Sequence, residues 1–541
     1  MKKLIPILLI LLFATILRFQ RLSDVPALNA DEAAIGYNAY SLLETGLDEH
    51  GNKWPIHFQS FNDYKPGLYV YIVLPFVAVL GLTESAVRVP GAIFGVLNVL
   101  AIYLLVGRLY PKKKWLPEIC ALLLAISPWH LHFSRGGWEV NVATTCITIA
   151  MYFFVVGQKR KSMLIYSAIF FVAALYTYHA ARIVIPLLGL LLLVFYRKNI
   201  VRDLRTYISV VLFTMVMLAP LGFDFLGPAG TSRASGVSIF SDRGTIDRIN
   251  EQRGHYSKEL SVVGLLLHNK LTGYTLAFAE NYFEHFWGQF LFLSGDDIQR
   301  NKIPEIGQVY LIQLPLLVYG AFSLIKKKKQ NALLVFGWVL ITPLPAALTF
   351  QSPHALRAQG MVIPLTIITG LGLYSLSRTV QKVYGKVIVV CLLIFVGGVL
   401  AWDFARYLHQ YWGHMAQTYP FSSQYGAKEL SGYISSRYDD FDTVMITDRY
   451  DQPYIMMLFY LKYPPARFQS EHTLSNRDEF GFSTVRRFGK FEFTSIKWSE
   501  VVDKRGILVV GTDEEIPNVE ANVIKQIYFP NGHPAYEIVP R

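Results

Sequence analysis

Cysteine is rare in this sequence: Cys120, Cys146 and Cys391 are the three among 541 residues, and each lies in an apolar run. They form neither a disulfide framework nor a paired metal-binding pattern. Charged residues are also scarce, at 17% of the chain, whereas 52% of residues are hydrophobic. The patterns G-x-x-x-x-G-K-[ST], G-x-S-x-G and H-E-x-x-H are absent. These absences argue against a P-loop nucleotide site, a serine-hydrolase elbow and a zinc-protease helix.

Long apolar runs are the main feature that the sequence does have. Runs with charged flanks recur, and each is long enough to cross a hydrocarbon core of roughly 30 Å as a helix. The predicted crossings are residues 4–19, 89–107, 115–133, 140–157, 163–179, 182–196, 206–223, 308–325, 331–349, 359–377 and 386–404. We therefore expect a polytopic α-helical membrane protein of about eleven transmembrane helices.

The basic residues predict the orientation of these helices. Every second connection carries a cluster of Lys and Arg, and such clusters remain in the cytoplasm. The clusters are "MKK", "RLYPKKKW", "QKRKS", "YRKNIVRDLR", "KKKKQ" and "SRTVQKVYGK". They explain the net charge of +12 without nucleic acid as a partner. The pattern predicts an integral plasma-membrane protein with a cytoplasmic N-terminus and long outer loops at 20–88 and 224–307.

Two apolar stretches each have a second interpretation. "MKKLIPILLILLFATILRF" is similar to a secretory signal, but it lacks a small-residue cleavage site, so we interpret it as a retained signal anchor. Residues 66–82 either span the membrane or lie in its interface. A crossing there would move every later basic cluster outside, so parity and Pro75 favour an interfacial or re-entrant segment. This segment and the loop 224–307 are expected to shape a groove for a lipid tail.

The sequence changes character after residue 405. Residues 1–405 form the predicted transmembrane domain, and residues 406–541 show alternating helix and strand signals. A helix capped by Ser422 or Ser423 precedes the strand "DTVMIT", the helix "QPYIMMLFYLKY", the strand "GILVVGT" and a hairpin around "PNGHPA". We expect a small C-terminal α/β domain outside the membrane, that is, an extracytoplasmic domain.

Polar residues of the first outer loop are candidates for chemistry. In "NADE", Asn29 is placed to cap a helix, and Glu32 completes a capping box three residues later. Adjacent helical residues point about 100° apart, so Asp31 and Glu32 cannot share one task. Capping explains Glu32, whereas Asp31 either favours the positive helix end or faces a reaction site.

Several cations lie on the same predicted side of the membrane. Lys65, two residues after Asp63, either snorkels at the interface or binds a lipid phosphate as a point charge. Four arginines stand at outer ends of crossings, where the positive-inside bias does not require them. Either a lipid phosphate or ordinary headgroup and ion-pair contacts would explain these four, which are Arg88, Arg135, Arg182 and Arg357. His179 and His354 are weaker candidates in the same loops.

These outer motifs resemble those of a known family. "NADEAAIGYNAYSLLETG", "NDYKPGLYVY" and "ESAVRVPGAIFGVLNVLAIYLL" resemble the membrane-embedded C-type (GT-C) glycosyltransferases of the protein O-mannosyltransferase and aminoarabinose-transferase family. "SPWHLHFSRGGWEVN", "YTYHAARIVIPLL", "FLSGDDIQRNKIPEIGQVYLIQLPLL" and "SPHALRAQGMVIPL" extend the resemblance across most of the membrane part. The sequence departs from the family at Gly67, where relatives often carry a second proline.

The resemblance implies a GT-C-like fold, a polyprenyl-phosphate sugar donor and an extracytoplasmic site without metal or other cofactor. It implies that Asp31 is the catalytic base, with Glu32 and Asp63 as alternatives, and that Lys65 binds the donor phosphate. Arg88 is a second expected phosphate contact. Weaker candidates for the same role are Arg135, His179, Arg182, His354 and Arg357.

Sugar transfer from a phosphate suits this residue set chemically. The acceptor hydroxyl needs one base, while the phosphate leaves as a stable anion and needs cations rather than a second carboxylic acid. We expect inversion at the anomeric carbon, a mannose-like or related sugar, and a protein, lipid or polysaccharide acceptor. A lipid-linked glycan transporter and a membrane scaffold are the alternatives. The scarcity of charges in midspan argues against an ion-coupled transporter.

Overall fold

The computed structural model describes residues 4–61, 63–227, 238–256, 261–326, 330–476, 483–517 and 521–541. The side chains of residues 63, 261 and 330 also lie outside the described part. The predicted clusters "MKK" and most of "KKKKQ", together with parts of the loop 224–307, fall outside the described residues.

The chain divides into two compact units. The first unit comprises Met1–Ala14, Val96–His132 and Val140–Ala405, and the second comprises Thr15–Gly95, Phe133–Glu139 and Arg406–Arg541. The grouping differs from the predicted division at residue 405, since most of the first outer loop joins the C-terminal residues. The reason is packing: helix Ala30–Thr45 contacts helices Pro453–Tyr460 and Pro465–Glu471.

Apolar helices dominate the predicted membrane part. They are Ile5–Phe19, Glu84–Leu109, Leu116–Ala125, Glu139–Gly157, Met163–Thr177, Ala181–Arg202, Leu204–Asp224, Gln313–Lys326, Gln330–Ile341 and Val362–His409. Among the described residues, five stretches are long and apolar enough to cross a membrane: Glu84–Leu109, Glu139–Gly157, Ala181–Arg202, Leu204–Asp224 and Gln359–Thr418. The chain is therefore an integral membrane protein, whereas the number of eleven crossings stays a prediction.

Prolines and a glycine alter several predicted crossings. The crossing predicted at 115–133 consists of two helices, Leu116–Ala125 and Pro128–Phe133, because Pro128 has no N–H to continue the first helix. Pro343 and Pro345 divide the crossing predicted at 331–349 in the same way. The last two predicted crossings lie in the helical stretch Val362–His409, which consists of two helices separated at Gly385, whose φ of 85° favours glycine.

Helix Leu204–Asp224 has the surface expected of a helix in lipid. Leu221 is its one buried residue. Leu212, Met215 and Val216 are 57%, 61% and 72% exposed. An apolar surface of this size needs lipid or another apolar partner.

The loop predicted at 224–307 is mainly helical in its described part. Its helices are Arg243–Gly254, Ser261–Leu267 and Lys270–Glu284, followed by a π-helix, Gln289–Leu293, and a 3-10 turn, Gln299–Asn301. Helix Lys270–Glu284 buries none of its side chains and exposes Leu271, Leu276 and Phe283. That surface suits contact with lipid, as expected of a segment that borders a lipid groove.

The first outer loop forms three elements in the second unit. They are helix Ala30–Thr45, a hairpin of His57–Ser60 and Asp63–Pro66, and helix Leu68–Leu80. The 13 residues of the last helix cover roughly 20 Å, which is less than the roughly 30 Å of a hydrocarbon core. This length favours the interfacial prediction for residues 66–82.

The C-terminal residues form a seven-stranded mixed sheet. In spatial order its strands are Thr473–Leu474, Val485–Phe488, Phe491–Phe493, Thr443–Ile446, Ile507–Gly511, Pro534–Pro540 and Lys525–Tyr528. Thr443–Ile446 pairs in parallel with both of its neighbours, and the other pairings are antiparallel. Met445, Val509 and Val539 belong to a buried apolar cluster of this sheet.

The predicted α/β domain is confirmed in its main elements. Its helices are Ala427–Ser435, Pro453–Tyr460, Pro465–Glu471 and Trp498–Val501, and short helical turns lie at Gln410–His414, Met415–Thr418 and Tyr438–Asp440. The predicted cap at Ser422 or Ser423 is wrong, because the helix begins only after Gly426, whose φ is 95°. Strands Val485–Phe488 and Phe491–Phe493 were not predicted, because they are short and carry charged residues between their buried apolar residues.

Candidate active site

Asp31 lies in the first turn of helix Ala30–Thr45. A reciprocal capping box fixes this turn: the Asn29 side chain accepts from the Glu32 N–H at 3.1 Å, and the Glu32 carboxylate accepts from the Asn29 N–H at 3.3 Å. The box satisfies N–H groups that a first helical turn leaves unpaired. The predicted cap is thus confirmed, and the Asp31 side chain stays 24% exposed at the positive helix end.

Lys65 reaches Asp31 from the neighbouring β-hairpin. Strands His57–Ser60 and Asp63–Pro66 are antiparallel, and Phe58 stands opposite Lys65. The Lys65 Nζ donates to Asp31 Oδ1, and the lysine side chain is 17% exposed. The structure therefore brings together the two residues to which the resemblance gives the central roles.

The alternative bases differ in their surroundings. Glu32 is 1% exposed. Its Oε1 accepts from the Gly137 N–H at 2.8 Å and from Arg88 Nε, and its Oε2 accepts from Arg88 Nη2. These contacts commit the carboxylate to structure, in agreement with the predicted capping role. Asp63 lies in the hairpin that carries Lys65, but its side chain is outside the described residues.

Arg88, a predicted contact of the donor phosphate, is engaged in bonds within the protein. The Arg88 guanidinium is completely buried and donates to Glu32. It also donates to the carbonyls of Leu22, Pro26 and Ala27 at 2.8–3.1 Å. Nε makes one of these bonds and each Nη makes two, so all five N–H donors are used. No donor remains for a ligand.

Arg135 is also held by bonds within the protein, and its role as a phosphate contact stays a prediction. It is 1% exposed and donates to the carbonyls of Leu17 and Gln20. Its Nε donates to Tyr411 Oη at 3.0 Å, and its guanidinium lies 4.7 Å from the Trp412 ring centroid. A buried cation that is held by carbonyls and aromatic rings fixes the backbone around it.

His179 and Arg182 belong to the first unit, at the start of helix Ala181–Arg202. Arg182 Nη1 donates to His179 Nδ1 at 2.7 Å, and the guanidinium lies 4.6 Å from the Phe225 ring centroid. This geometry places a cation at the end of the helix that is predicted to face outward. Their role as phosphate contacts stays a prediction.

Arg357 lines a cavity of the first unit. Most of the cavity wall is apolar, with Val140, Ile147, Val184 and Trp338 among its residues. Arg357 also donates to the Thr349 hydroxyl. The role of Arg357 as a phosphate contact stays a prediction.

His354 lies in a buried polar cluster of the first unit. Its backbone N–H donates to His285 Nε2 at 3.1 Å, and its Nδ1 lies 3.7 Å from Asp296 Oδ2. Asp296 also accepts from the Ala355 N–H. Burial raises the pKa of Asp296 and lowers the pKa of His285 to about 4. The cluster orders the loop around His354, which does not favour this histidine as a phosphate contact.

Asp296 and His285 were not predicted from the sequence to lie beside His354. Asp296 bonds to Ala355, 59 positions away in the sequence, and His285 bonds to His354, 69 positions away. No local pattern reports contacts at such separations. The one available signal was the placement of all these residues in loops predicted on one side of the membrane.

Glu49 is a further buried acid that no sequence pattern indicated. It is 0% exposed, and its Oε1 accepts from Asn38 Nδ2 at 3.2 Å. Within the described part of the chain, Oε2 has no hydrogen-bond partner. Burial raises the pKa of Glu49 to about 8 and lowers the pKa of the adjacent His50 to about 3. In the sequence, "LDEHG" is typical of a solvated turn.

We searched the described residues for side chains that could bind a metal ion together. No group of three or more His, Cys, Asp or Glu side chains is placed there to hold a metal ion. Metal-free and cofactor-free chemistry stays a prediction.

A family model matches part of the membrane region. Residues 64–223 match the model described as dolichyl-phosphate-mannose-protein mannosyltransferase. The matched segment contains Lys65 and the first three helices that are long enough to span a membrane, Glu84–Leu109, Glu139–Gly157 and Ala181–Arg202. Comparison with curated proteins finds no match.

Solved structures of membrane glycosyltransferases resemble this chain. ArnT from Cupriavidus metallidurans in the apo state gives a TM-score of 0.56 at 12% identity, covering 98% of this chain and 97% of that chain. The same protein bound to undecaprenyl phosphate gives 0.55 at 13% identity with the same coverage. The archaeal oligosaccharyltransferase AglB from Archaeoglobus fulgidus, in complex with an inhibitory peptide and a dolichol-phosphate, gives 0.51 at 14% identity, covering 84% of this chain and 63% of that chain.

Identities this low establish the fold and not the substrates, and the chain spans less than two thirds of AglB. The family model and the structural similarities agree with each other and with the motifs of the first outer loop. The resemblance predicted from the sequence is therefore confirmed, and the chain is an integral membrane protein with the GT-C glycosyltransferase fold.

Proposed function

We propose that this protein is a glycosyltransferase that moves a sugar from a polyprenyl-phosphate carrier to an acceptor outside the cytoplasm. The observation that carries the proposal is the contact between Asp31 and Lys65. Both side chains remain partly exposed, whereas Glu32 and Arg88 are buried against each other. The transfer needs a base for the acceptor hydroxyl and a cation that binds the donor phosphate. Asp31 and Lys65 can supply these two groups.

Asp31 acts as the base in the proposed reaction. Its carboxylate takes the proton of the acceptor hydroxyl while the hydroxyl oxygen bonds to the anomeric carbon. The bond between that carbon and the phosphate oxygen breaks, and polyprenyl phosphate leaves with the electron pair. Attack opposite the leaving group inverts the anomeric centre.

Lys65 acts on the leaving phosphate. An ammonium beside the phosphate stabilises the charge that develops as the bond breaks. The same ammonium pairs with Asp31. Donor phosphate competes for Lys65, which frees the Asp31 carboxylate for the acceptor hydroxyl.

Arg357, Arg182 and His179 stay the weaker candidates from the sequence for contact with a polyprenyl phosphate. Arg357 combines a cation with an apolar cavity wall. Arg182 and His179 form a second cationic group at the start of helix Ala181–Arg202. Polyprenyl phosphates carry an anionic head on a hydrocarbon chain, so both features suit them. The solved ArnT complex contains undecaprenyl phosphate, which supports this class of carrier.

The acceptor and the orientation follow from the sequence predictions. Basic clusters place the N-terminus in the cytoplasm and the first outer loop outside. The acceptor is then a hydroxyl of an extracytoplasmic protein, lipid or polysaccharide. The sugar is a mannose-like hexose or a related sugar, and the chemistry uses neither metal nor cofactor.

The test uses the full chain in lipid with a panel of polyprenyl-phosphate sugars and a mixed envelope extract as acceptor. Mass spectrometry follows donor consumption by wild type and Asp31→Asn. We expect consumption by wild type and a loss of at least about a hundredfold in the variant. Asp24→Asn is the matched control, because Asp24 is an exposed acid of the same loop that pairs with Arg21.

Three other results would contradict parts of the proposal. Donor consumption that survives Asp31→Asn would show that another group is the base, and Asp63 would be tested next. Movement of a lipid-linked glycan across the bilayer without donor cleavage would identify a transporter. Retained configuration in the product, measured by NMR, would exclude a single displacement.

A further inference from the structure

Helix Pro453–Tyr460, here called the clamp helix, contacts both elements of the proposed site. It packs closely on the helix of Asp31: a Cβ added at Gly36 would lie 2.6 Å from a ring carbon of Phe459. At the hairpin of Lys65, the ring of Tyr454 meets the ring of Phe61 edge-on, with centroids 6.1 Å apart. One C-terminal helix therefore touches the elements that carry both reacting side chains.

Further bonds hold the Asp31 helix against the C-terminal residues. Tyr37, which is completely buried, donates its hydroxyl proton to the carbonyl of Tyr463 at 3.0 Å. Gln469 Nε2 lies 3.1 Å from the hydroxyls of both Ser41 and Thr45. These contacts lie along the same helix, so its position depends on the C-terminal residues.

Phe61 links the clamp helix to the Lys65 ammonium. Its carbonyl accepts from the Ser483 N–H at 3.2 Å, and its ring centroid lies 4.9 Å from Lys65 Nζ. Its φ of 56° is uncommon for a residue with a side chain. The backbone bond to Ser483 and the ring contact with Tyr454 together hold Phe61 in this conformation.

We propose that Phe61 is a positioning residue that holds the Lys65 ammonium over its ring face, and that the clamp helix fixes Phe61 through Tyr454. A cation over an aromatic face is attracted by the ring quadrupole and loses freedom to move. The C-terminal residues are then part of the framework that sets the distance between the proposed base, Asp31, and the proposed phosphate-binding group, Lys65. This inference rests on the proposed function, because it concerns the same two side chains.

The test compares three variants of the full chain in lipid, using the donor that wild type consumes. Phe61→Leu keeps an apolar side chain but removes the ring face, so the Michaelis constant for donor is expected to rise about tenfold. Phe61→Trp restores a ring face and is expected to stay near wild type. Phe421→Leu is the matched control, because Phe421 is 52% exposed and contacts Tyr450 instead of the site.

A second measurement is independent of turnover. An amine-reactive reagent modifies Lys65, and peptide mass spectrometry gives the rate of modification. We expect faster modification in Phe61→Leu than in wild type and in Phe61→Trp, because the ammonium is no longer held. The apparent melting temperature of each variant shows whether it is folded.

The outcomes separate this inference from the proposed function. Wild-type turnover with an unchanged donor constant in Phe61→Leu would overturn the positioning role and leave the transferase proposal intact. Absence of wild-type turnover with every donor would contradict the function. In that case equal modification rates of Lys65 in wild type and Phe61→Leu would overturn the positioning role as well, and a faster rate in the variant would support it.

Discussion

The Arg88 guanidinium donates two parallel hydrogen bonds to the Glu32 carboxylate, and both are 2.7 Å long. Both side chains are almost completely removed from solvent, at 0% and 1% exposure. Because Glu32 also closes the capping box, this pair ties helix Glu84–Leu109 to the turn that carries Asp31. The buried pair therefore supports the proposed base without taking part in the reaction.

Arg88→Lys is expected to destabilise the protein rather than weaken donor binding selectively. A lysine cannot reproduce the five donors of the guanidinium, so carbonyls and one carboxylate oxygen lose their partners. Disruption of a buried ion pair costs about 3–5 kcal/mol. The apparent melting temperature of the purified variant measures this loss. A variant that melts like wild type but has a raised donor Michaelis constant would restore Arg88 as a phosphate contact.

Lys65→Met is expected to reduce donor use strongly while leaving the fold intact. Methionine keeps much of the apolar stem but removes the charge that meets the phosphate. We expect catalytic efficiency for donor to fall at least about tenfold, because charge-assisted bonds to phosphate contribute about 1.5–3 kcal/mol. Steady-state kinetics with varied donor measure the change. Lys53→Met is the matched control, because Lys53 is an exposed lysine of the same loop.

A result that would contradict this role is equal efficiency in Lys65→Met and in wild type. Lys65→Arg gives a second comparison. Arginine keeps the positive charge but changes its shape, so partial retention of efficiency is expected.

The helix start at Asp31 was predictable because its cause is local. Asn29 and Glu32 stand three positions apart, and the capping box needs no other part of the chain. The pairing of Asp31 with Lys65 was not predicted, since the family resemblance gave each residue a role but no contact between them. No spacing rule connects a helix turn with a β-hairpin 34 positions later.

The local sequence does not distinguish arginines that bond within the protein from arginines that are open to a ligand. Arg88 and Arg135 stand at the ends of predicted crossings just as Arg357 does, and the sequence treats them alike. They differ in their surroundings. Arg88 donates to Glu32 and to carbonyls, Arg135 donates to carbonyls and to a tyrosine hydroxyl, and Arg357 borders a cavity. Burial depends on tertiary packing and is not encoded in the local pattern.

Glu49 gives the chain a pH dependence of stability. Burial raises the pKa of its carboxyl to about 8, so the folded chain binds a proton that the unfolded chain releases near pH 4.5. The buried Glu49 carboxyl contributes its full stabilisation of the folded chain below about pH 4.5, and this contribution falls as the pH rises towards 8. The loss between pH 6.5 and 8 amounts to roughly 2 kcal/mol.

His50 acts in the opposite direction at lower pH. Burial lowers its pKa to about 3, so the unfolded chain takes up a proton below pH 6.5 that the folded chain does not. Its contribution rises with pH and is complete above 6.5. Between pH 6.5 and 8 the contribution of Glu49 to stability changes, whereas that of His50 stays constant, so this pH range tests Glu49 alone of the two. Apparent melting temperatures of wild type should fall across this range, and those of Glu49→Gln should fall less. Parallel curves for the two proteins would show that Glu49 is ionised when folded.

Gly36→Ala tests the close approach of the Asp31 helix to its neighbours. A Cβ at this position would lie 2.6 Å from a ring carbon of Phe459 and 2.7 Å from a methyl carbon of Val87. Both distances are shorter than van der Waals contact, so the helix or its neighbours must shift. We expect a loss of about 1–3 kcal/mol, as is typical of overpacking. Gly432→Ala is the matched control, because a Cβ at that helical glycine would meet no heavy atom within 4 Å.

The control should be neutral or slightly stabilising, since alanine favours helix over glycine by about 1 kcal/mol. The apparent melting temperature of Gly36→Ala should therefore lie below that of wild type, and that of Gly432→Ala at or above it. Adding Phe459→Leu to Gly36→Ala removes one of the two clashes and should recover part of the stability. If Gly36→Ala melts at the wild-type temperature, the helix of Asp31 has room to move, and the clamp helix does not fix it.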